Sequence, residues 1–171
     1  MPNAEQTRLF EELMAYREDV FRICLGFSRN PADAEDLSQD VYLKALSRIA
    51  TLRDPGAARG WLLRIARNTC LDRRKRVRLF GLFKLGAAAG GVRTSDPPEA
   101  PREEPAGLAK LKEAVARLPR SQREVFVLRE YGRLSYAEIA ANLGLRMGTV
   151  MSRLNRARGR VARDVREVGH D

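Results

Sequence analysis

The chain is poor in the residues from which covalent and metal chemistry is built. Its 171 residues include only two cysteines and one histidine. Cys24 and Cys70 each fall on the apolar side of an expected helix, so buried thiols are the preferred reading, with a disulfide or redox switch as the minor alternative. His170 is the next-to-last residue, with no further ligand grouped around it, and no metal site is expected. No uninterrupted apolar run approaches membrane-spanning length, and residues 1–21 are charged throughout, without the apolar centre of a secretory signal. A cytoplasmic setting without membrane insertion is therefore expected. No nucleophile–base pair and no phosphate-cradling loop is visible, which argues against an enzyme, and nothing asks for a cofactor.

What the chain has in excess is positive charge. A net charge of +10 and a pI near 10.4 favour a polyanionic partner, with nucleic acid the first candidate. The surplus is concentrated in two blocks. Arg64, Arg67, Arg73, Arg74, Lys75, Arg76 and Arg78 form one, and Arg146, Arg153, Arg156, Arg158, Arg160, Arg163 and Arg166 form the other. Two separated blocks suggest two DNA contacts.

The second block lies in the most informative stretch, residues 134–163. Ser135 and Glu138 have the spacing of a capping box, so a short helix should begin at Tyr136, with Ile139, Ala140 and Leu143 on its apolar side. Gly144 is placed to end it in the left-handed conformation. After a turn at Leu145-Arg146, a second helix repeats apolar residues at Val150, Leu154, Ala157, Val161 and Val165. Two helices joined by a short glycine turn, the second basic and amphipathic, read as a helix-turn-helix. At about 100° per residue, Ser152, Asn155, Arg156 and Gly159 fall opposite the apolar sector, with Met151 and Arg160 on the flanks. A hydroxyl, an amide and a guanidinium suit base edges and phosphates. The plainer alternative is a solvated basic face, less favoured here because a capped helix and a glycine turn precede it.

Earlier in the chain, Leu9, Phe10, Leu13, Val20, Phe21, Cys24 and Leu25 predict one long helix over residues 6–28. Asn30-Pro31 caps and starts the next, over residues 31–50, with Ala34, Leu37, Val41 and Ala45 buried. Asp33, Asp36 and Asp40 share its opposite side. The helix dipole accounts for Asp33, whereas Asp36 and Asp40 suit a basic protein surface or, more plainly, solvent. A third helix is expected over residues 57–76, packing through Trp61, Leu62, Ile65, Ala66, Thr69 and Cys70. Trp61 can serve as a core anchor, a stacking surface for an unpaired base, or both. A glycine- and alanine-rich run at residues 86–91 leads into a proline-rich one within residues 81–107, which read as a flexible linker. Its apolar beginning, Leu79 to Leu85, either extends the third helix or docks elsewhere. Beyond the linker, Leu108, Leu111, Val115 and Leu118 form a helix ended by Pro119. Ser121 and Glu124 suggest a second capping box, for a helix that buries Val125, Phe126 and Leu128 and ends at Gly132. The expected fold is all-α: a domain over residues 6–78, a linker over 79–107 and a helix-turn-helix domain over 108–168.

Three segments carry a family resemblance. They are Asp33 to Val41 (DAEDLSQDV), Trp61 to Asn68 (WLLRIARN) and Gly148 to Arg158 (GTVMSRLNRAR). In this order, with a linker between the second and third, the chain resembles the extracytoplasmic-function sigma factors of bacteria. That resemblance implies promoter-specific initiation by bacterial RNA polymerase. It implies a first domain that binds the beta-prime clamp helices and melts the −10 element, and a second that docks on the beta flap and reads the −35 element. An anti-sigma factor is a further implied partner. Carried over by motif, Asp36, Gln39 and Asp40 face the clamp. Asn68 with the loop from Leu52 to Gly60 forms the pocket for an extruded −10 base, accompanied by Trp61, Arg67, Arg73, Arg74 and Arg76. Tyr136, Met151, Ser152, Arg153, Asn155 and Arg156 serve the −35 element. The chain departs from the family pattern at Leu52, Arg146 and Met151, which bears on promoter sequence. Two rivals are a one-component helix-turn-helix regulator, for which residues 6–76 are short and basic, and a DNA-modifying enzyme, for which no chemistry is visible.

Overall fold

The computed structural model of the chain describes residues 3–28, 30–86 and 105–167, with the backbone alone for residues 83–86. Every regular element among them is helical: α1 Ala4–Met14, α2 Arg17–Phe27, α3 Pro31–Arg48, α4 Ala58–Gly86, α5 Ala106–Arg117, α6 Arg120–Phe126, α7 Tyr136–Leu143 and α8 Met147–Glu167. In the first domain α2, α3 and α4 pack on one another; in the second, α8 packs across α5, α6 and α7. Most of the expected linker, and His170, lie outside the described residues.

Where one helix was expected over residues 6–28, the chain forms two. The Ala15 N–H donates back to the carbonyls of Glu12 and Leu13, and Tyr16 leaves the helical region at φ −95°, ψ 13°. The cause comes from outside the segment: the Tyr42 hydroxyl of α3 donates to the Leu13 carbonyl at 3.2 Å, and Phe10 meets the Tyr42 ring edge-on. A carbonyl engaged from the side is a common origin of a helix break. The start of α3 follows expectation, with Asn30 accepting from the Asp33 N–H at 2.8 Å and Pro31 in the first turn.

Helix α4 does not stop at Arg76 but continues to Gly86, so the segment beginning at Leu79 extends the helix. Its side chains find no cover there: Val77, Leu79, Phe80 and Leu82 are all exposed. The expected capping box at Ser121 does not form. Pro119 takes the N-cap position and α6 begins at Arg120, whose guanidinium pairs with Glu124 at 3.1 Å. The Arg123 side chain turns back to donate to the carbonyls of Val115, Ala116 and Leu118, satisfying the open end of α5. Half-burial, reinforced by the nearby positive charge of Arg74, lowers the Arg123 pKa to about 10.

After α6 the chain makes a π-helical turn, Val127–Tyr131, closed by the Gly132 N–H on the Val127 carbonyl at 3.0 Å. The left-handed residue of the connection is Arg133, at φ 56°, rather than Gly132. Ser135 then caps α7 reciprocally: its hydroxyl accepts from the Glu138 N–H at 3.2 Å, and its own N–H donates to the Glu138 carboxylate at 2.7 Å. Those bonds, with the Arg59 guanidinium, hold the Glu138 carboxyl below the usual carboxylate range. Because the folded-state pKa is depressed, this stabilisation is present at neutral pH and is lost as pH falls through that lowered value. Gly144, at φ 64°, ends α7, and α8 buries Val150, Leu154, Ala157 and Val161.

Cys24 and Cys70 are buried free thiols with their sulfurs 3.8 Å apart. The hydrogen bond to Cys24, together with burial, pushes the Cys70 thiol well above the ordinary thiol range.

Two outcomes follow. Ser135→Ala removes one side of the capping box and is expected to cost about 1 kcal/mol. In a domain of this size that lowers the thermal midpoint by roughly 4–8 °C, measurable by circular dichroism. The buried thiols should react with an aromatic disulfide reagent only at the rate of unfolding, so a fast burst of labelling in native buffer would contradict their inertness.

Candidate nucleic-acid interface

Helix α8 divides its arginines by task. Arg158 donates twice to one Glu130 carboxylate oxygen, at 2.8 and 2.6 Å, and so ties the helix to the π-helical turn. Ser152, Asn155 and Arg156 stand exposed on the side opposite the buried stripe, and Met151 is exposed beside them. The Ser152 hydroxyl donates to the Thr149 carbonyl at 3.1 Å, which leaves its oxygen free to accept. Neither Asn155 nor Arg156 is paired among the described residues. Arg153 is half-buried. Tyr136, at the start of α7, is held under the Arg129 guanidinium, 5.1 Å from its ring centre, while Arg129 donates to the Leu134 carbonyl. A polar and cationic helix face, held in place by the Arg158–Glu130 ion pair, can enter a major groove without reorganising the domain.

The first domain presents a second basic strip along α4. From Trp61 to Arg76 it runs about 22 Å, at about 1.5 Å per residue. Trp61 is half-buried against the core, so its ring serves packing, and Leu52 is half-buried in the preceding loop. That loop is shaped by Asp54, whose carboxylate accepts from the Gly56 N–H at 2.9 Å. Arg67 donates to the side-chain oxygen of Asn68 at 2.9 Å. Arg73 reaches Asp33 at 3.7 Å, Arg74 is half-buried, and Arg76 is exposed. The strip therefore joins Arg67 to Asn68 and sets Arg73 to Arg76 further along the same helix.

On α3 the carboxylates also divide. Asp33 is engaged by Asn30 and Arg73, while Asp36, Gln39 and Asp40 are exposed and unpaired among the described residues. Exposed anions on a cationic protein form a surface distinct from either DNA-suited face. No group of three or more His, Cys, Asp or Glu side chains among the described residues is placed to hold a metal ion.

Sequence reading missed two features. One is an apolar cleft of about 670 Å³ in the second domain, whose walls include Leu108, Leu111, Phe126, Tyr131, Val161 and Val165. Its residues were assigned to helix stripes, and the signal that they leave a gap resides in the packing. The other is contact between the domains. Arg59 bridges Asp19 at 3.0 Å and Glu138 at 2.6 Å, and Arg64 and Arg67 donate to carbonyls at the end of α7.

Comparison with known proteins matches this layout. The sigma-70 region 2 family matches residues 13–79, and the sigma-70 region 4 family matches residues 108–161. The ECF RNA polymerase sigma factor SigE of Mycolicibacterium smegmatis is 36% identical over 151 residues, which are 87% of this chain and 58% of that protein. The chain thus spans less than two thirds of that relative's length. The ECF RNA polymerase sigma factor SigC of Mycobacterium tuberculosis is 32% identical over 152 residues, 89% of this chain and 80% of that one. In structure, the sigma factor RpoE of Bartonella quintana, crystallised with the anti-sigma factor NepR, aligns with a TM-score of 0.70 and 25% identity, covering 91% of this chain and 95% of that one. With region 2 on the domain of the α4 strip and region 4 on the domain of the helix-turn-helix, the chain belongs to the extracytoplasmic-function sigma factors of the sigma-70 family.

Proposed function

We propose that the chain is an alternative sigma factor that binds core RNA polymerase and directs it to a set of promoters. The observation that carries this reading is the separation of surfaces: exposed carboxylates on α3 of one domain, and an exposed, unpaired base-reading face on α8 of the other. Residues 6–78 bind the polymerase clamp through Asp36, Gln39 and Asp40. They capture and melt the −10 element through Asn68, Arg67, Trp61, the Leu52 loop and the cations at 73, 74 and 76. Residues 108–168 read the −35 element through Ser152, Asn155 and Arg156, with Tyr136, Met151 and Arg153 beside them. The apolar cleft between α5, the π-helical turn and α8 fits the beta flap, because it offers an amphipathic segment an apolar floor with Glu130, Arg158 and Arg166 around it.

The chain acts by binding, in the cytoplasm, and an anti-sigma factor controls its availability. No helix among the described residues is long and apolar enough to cross a membrane. The deciding experiment is promoter-dependent transcription with purified core polymerase. A one-component regulator instead binds its duplex site alone, so a specific gel shift without polymerase, paired with no stimulation of core, would replace this proposal.

Two substitutions sharpen it. Asp36→Arg with Asp40→Arg turns attraction to a basic clamp surface into repulsion and is expected to weaken core binding by about tenfold or more. Both residues are exposed, so the fold should persist, and unchanged core affinity in the folded variant removes the clamp assignment. Arg156→Ala should lower transcription from a −35-dependent promoter by roughly tenfold, the loss of one bidentate base contact being worth about 1–3 kcal/mol. Arg163→Ala should weaken binding evenly across sequences, if at all. An equal loss for Arg156→Ala on a promoter with a scrambled −35 element makes Arg156 a phosphate clamp only.

A further inference from the structure

The two cysteines take no part in the surfaces described above. They stand 46 residues apart in sequence, on α2 and α4, and are 0% and 1% exposed. The Cys70 S–H donates to the Cys24 sulfur at 3.8 Å. A disulfide needs about 2.0 Å between its sulfurs, so an approach of about 1.8 Å joins two helices that already pack on one another. The hydrogen bond also makes the two sulfurs unequal. Accepting from Cys70 draws the Cys24 pKa below the ordinary thiol range against the effect of burial, with help from the Ser38 hydroxyl and opposition from the Asp40 charge. Cys70, the donor, is pushed the other way. Cys24 is therefore the sulfur that ionises first, and the thiolate is the nucleophile.

Burial decides which reagents reach the pair. Between α3 and α4 lies a cleft of about 480 Å³, whose walls include Asp40, Lys44, Thr69 and Arg73. Thr69 adjoins Cys70 in the chain, and Arg73 follows within one helical turn. Asp40 and Lys44 are also charges that Cys24 and Cys70 feel, which sets the cleft near both sulfurs. Thr69 is 3% exposed, and its hydroxyl oxygen has no hydrogen-bond partner among the described residues. A small polar molecule entering from the cleft therefore meets an unpaired hydroxyl beside the thiol. An aromatic disulfide is too bulky for that route. Inertness toward it and reactivity toward a small oxidant are compatible.

We propose that Cys24 and Cys70 form a reversible oxidation site for small hydroperoxides, closing a disulfide that staples α2 to α4 and stabilises the first domain. The Cys24 thiolate attacks one peroxide oxygen, the O–O bond breaks, and the leaving oxygen takes up the proton that Cys24 released. Cys24 is then a sulfenic acid. The Cys70 sulfur attacks the Cys24 sulfur, the S–O bond breaks, and the hydroxyl leaves as water with the Cys70 proton. With hydrogen peroxide, two thiols and one peroxide become one disulfide and two waters. The sulfurs lose two electrons and the peroxide oxygens gain them. Exchange with a dithiol returns both thiols. The loop so closed contains the whole of α3, with Asp36, Gln39 and Asp40, and the Leu52 loop. Cross-linking a loop of that length restricts the unfolded chain and leaves those exposed side chains untouched.

The test treats the reduced full chain with hydrogen peroxide in native buffer. Its intact mass should fall by two hydrogens, the product should run as a monomer on a non-reducing gel, and dithiothreitol should restore the mass. Oxidation should run about tenfold or more faster than labelling by an aromatic disulfide, which waits for unfolding. The thermal midpoint of the oxidised chain should rise by about 10 °C and return on reduction. Cys70→Ala should accumulate a Cys24 sulfenic acid that dimedone traps, whereas Cys24→Ala should leave Cys70 reduced. The measurements on the parent chain stand even if either variant fails to fold. The proposal falls if peroxide acts no faster than the aromatic reagent, because the reaction then passes through unfolding. It falls equally if disulfides form between chains, if the parent gains oxygen instead of losing hydrogen, or if the disulfide leaves the midpoint unchanged. Dimedone on Cys70 rather than Cys24 overturns the choice of attacking sulfur. None of these measurements involves polymerase or DNA, so the sigma-factor reading stands or falls separately.

Discussion

A helix of eight residues such as α7 has almost no stability alone in water, because the cost of nucleating it outweighs the few hydrogen bonds it closes. Its capping box and its left-handed glycine end reduce that cost, but burial of Ile139 and its neighbours against α8 makes the element persist. The same holds throughout the chain: each helix is kept mainly by one apolar stripe, and side chains off that stripe that neither cap nor brace are free of structural duty. Ser152, Asn155 and Arg156 on α8, and Asp36, Gln39 and Asp40 on α3, all occupy such released positions. The remainder of each helix is left available for binding, so two small domains can offer several surfaces without enlarging either core.

Charge adds a further division that counting alone does not reveal. Arg156 and Arg158 are two residues apart, yet Arg158 fixes α8 to Glu130 while Arg156 is turned outward. Arg123 closes the end of α5, and Arg129 braces both Leu134 and Tyr136. Part of the positive surplus is therefore scaffold. The part left unpaired, and so available to a polyanion, is smaller than a net charge of +10 suggests.

Much of this was legible in the sequence, and the reasons differ by element. The helix-turn-helix was, because its cap, its glycine and its 3.6-residue period agree with one another and are local. The start of α3 at Asn30-Pro31 was, for the same reason. The division of residues 6–28 into two helices was not, because it depends on the Tyr42 hydroxyl, 29 residues from Leu13. The capping box expected at Ser121 lost to Pro119, which takes the N-cap place two residues earlier. Among the candidate site residues, exposure and face followed from periodicity. Partnering did not: nothing local to Arg67 says that its nearest acceptors belong to Asn142.

How strong must contact between the domains be to matter? Two modules on one chain meet at an effective concentration in the millimolar range for a short flexible connection. A contact with an intrinsic dissociation constant of about 0.1 mM would then close about nine chains in ten, a bias of about 1.4 kcal/mol. Three arginine hydrogen-bond sets and the close approaches of Gly26 to Val127 and of Gly132 to Ile23, opposed by Arg74 near Arg123, are in keeping with a bias of that order.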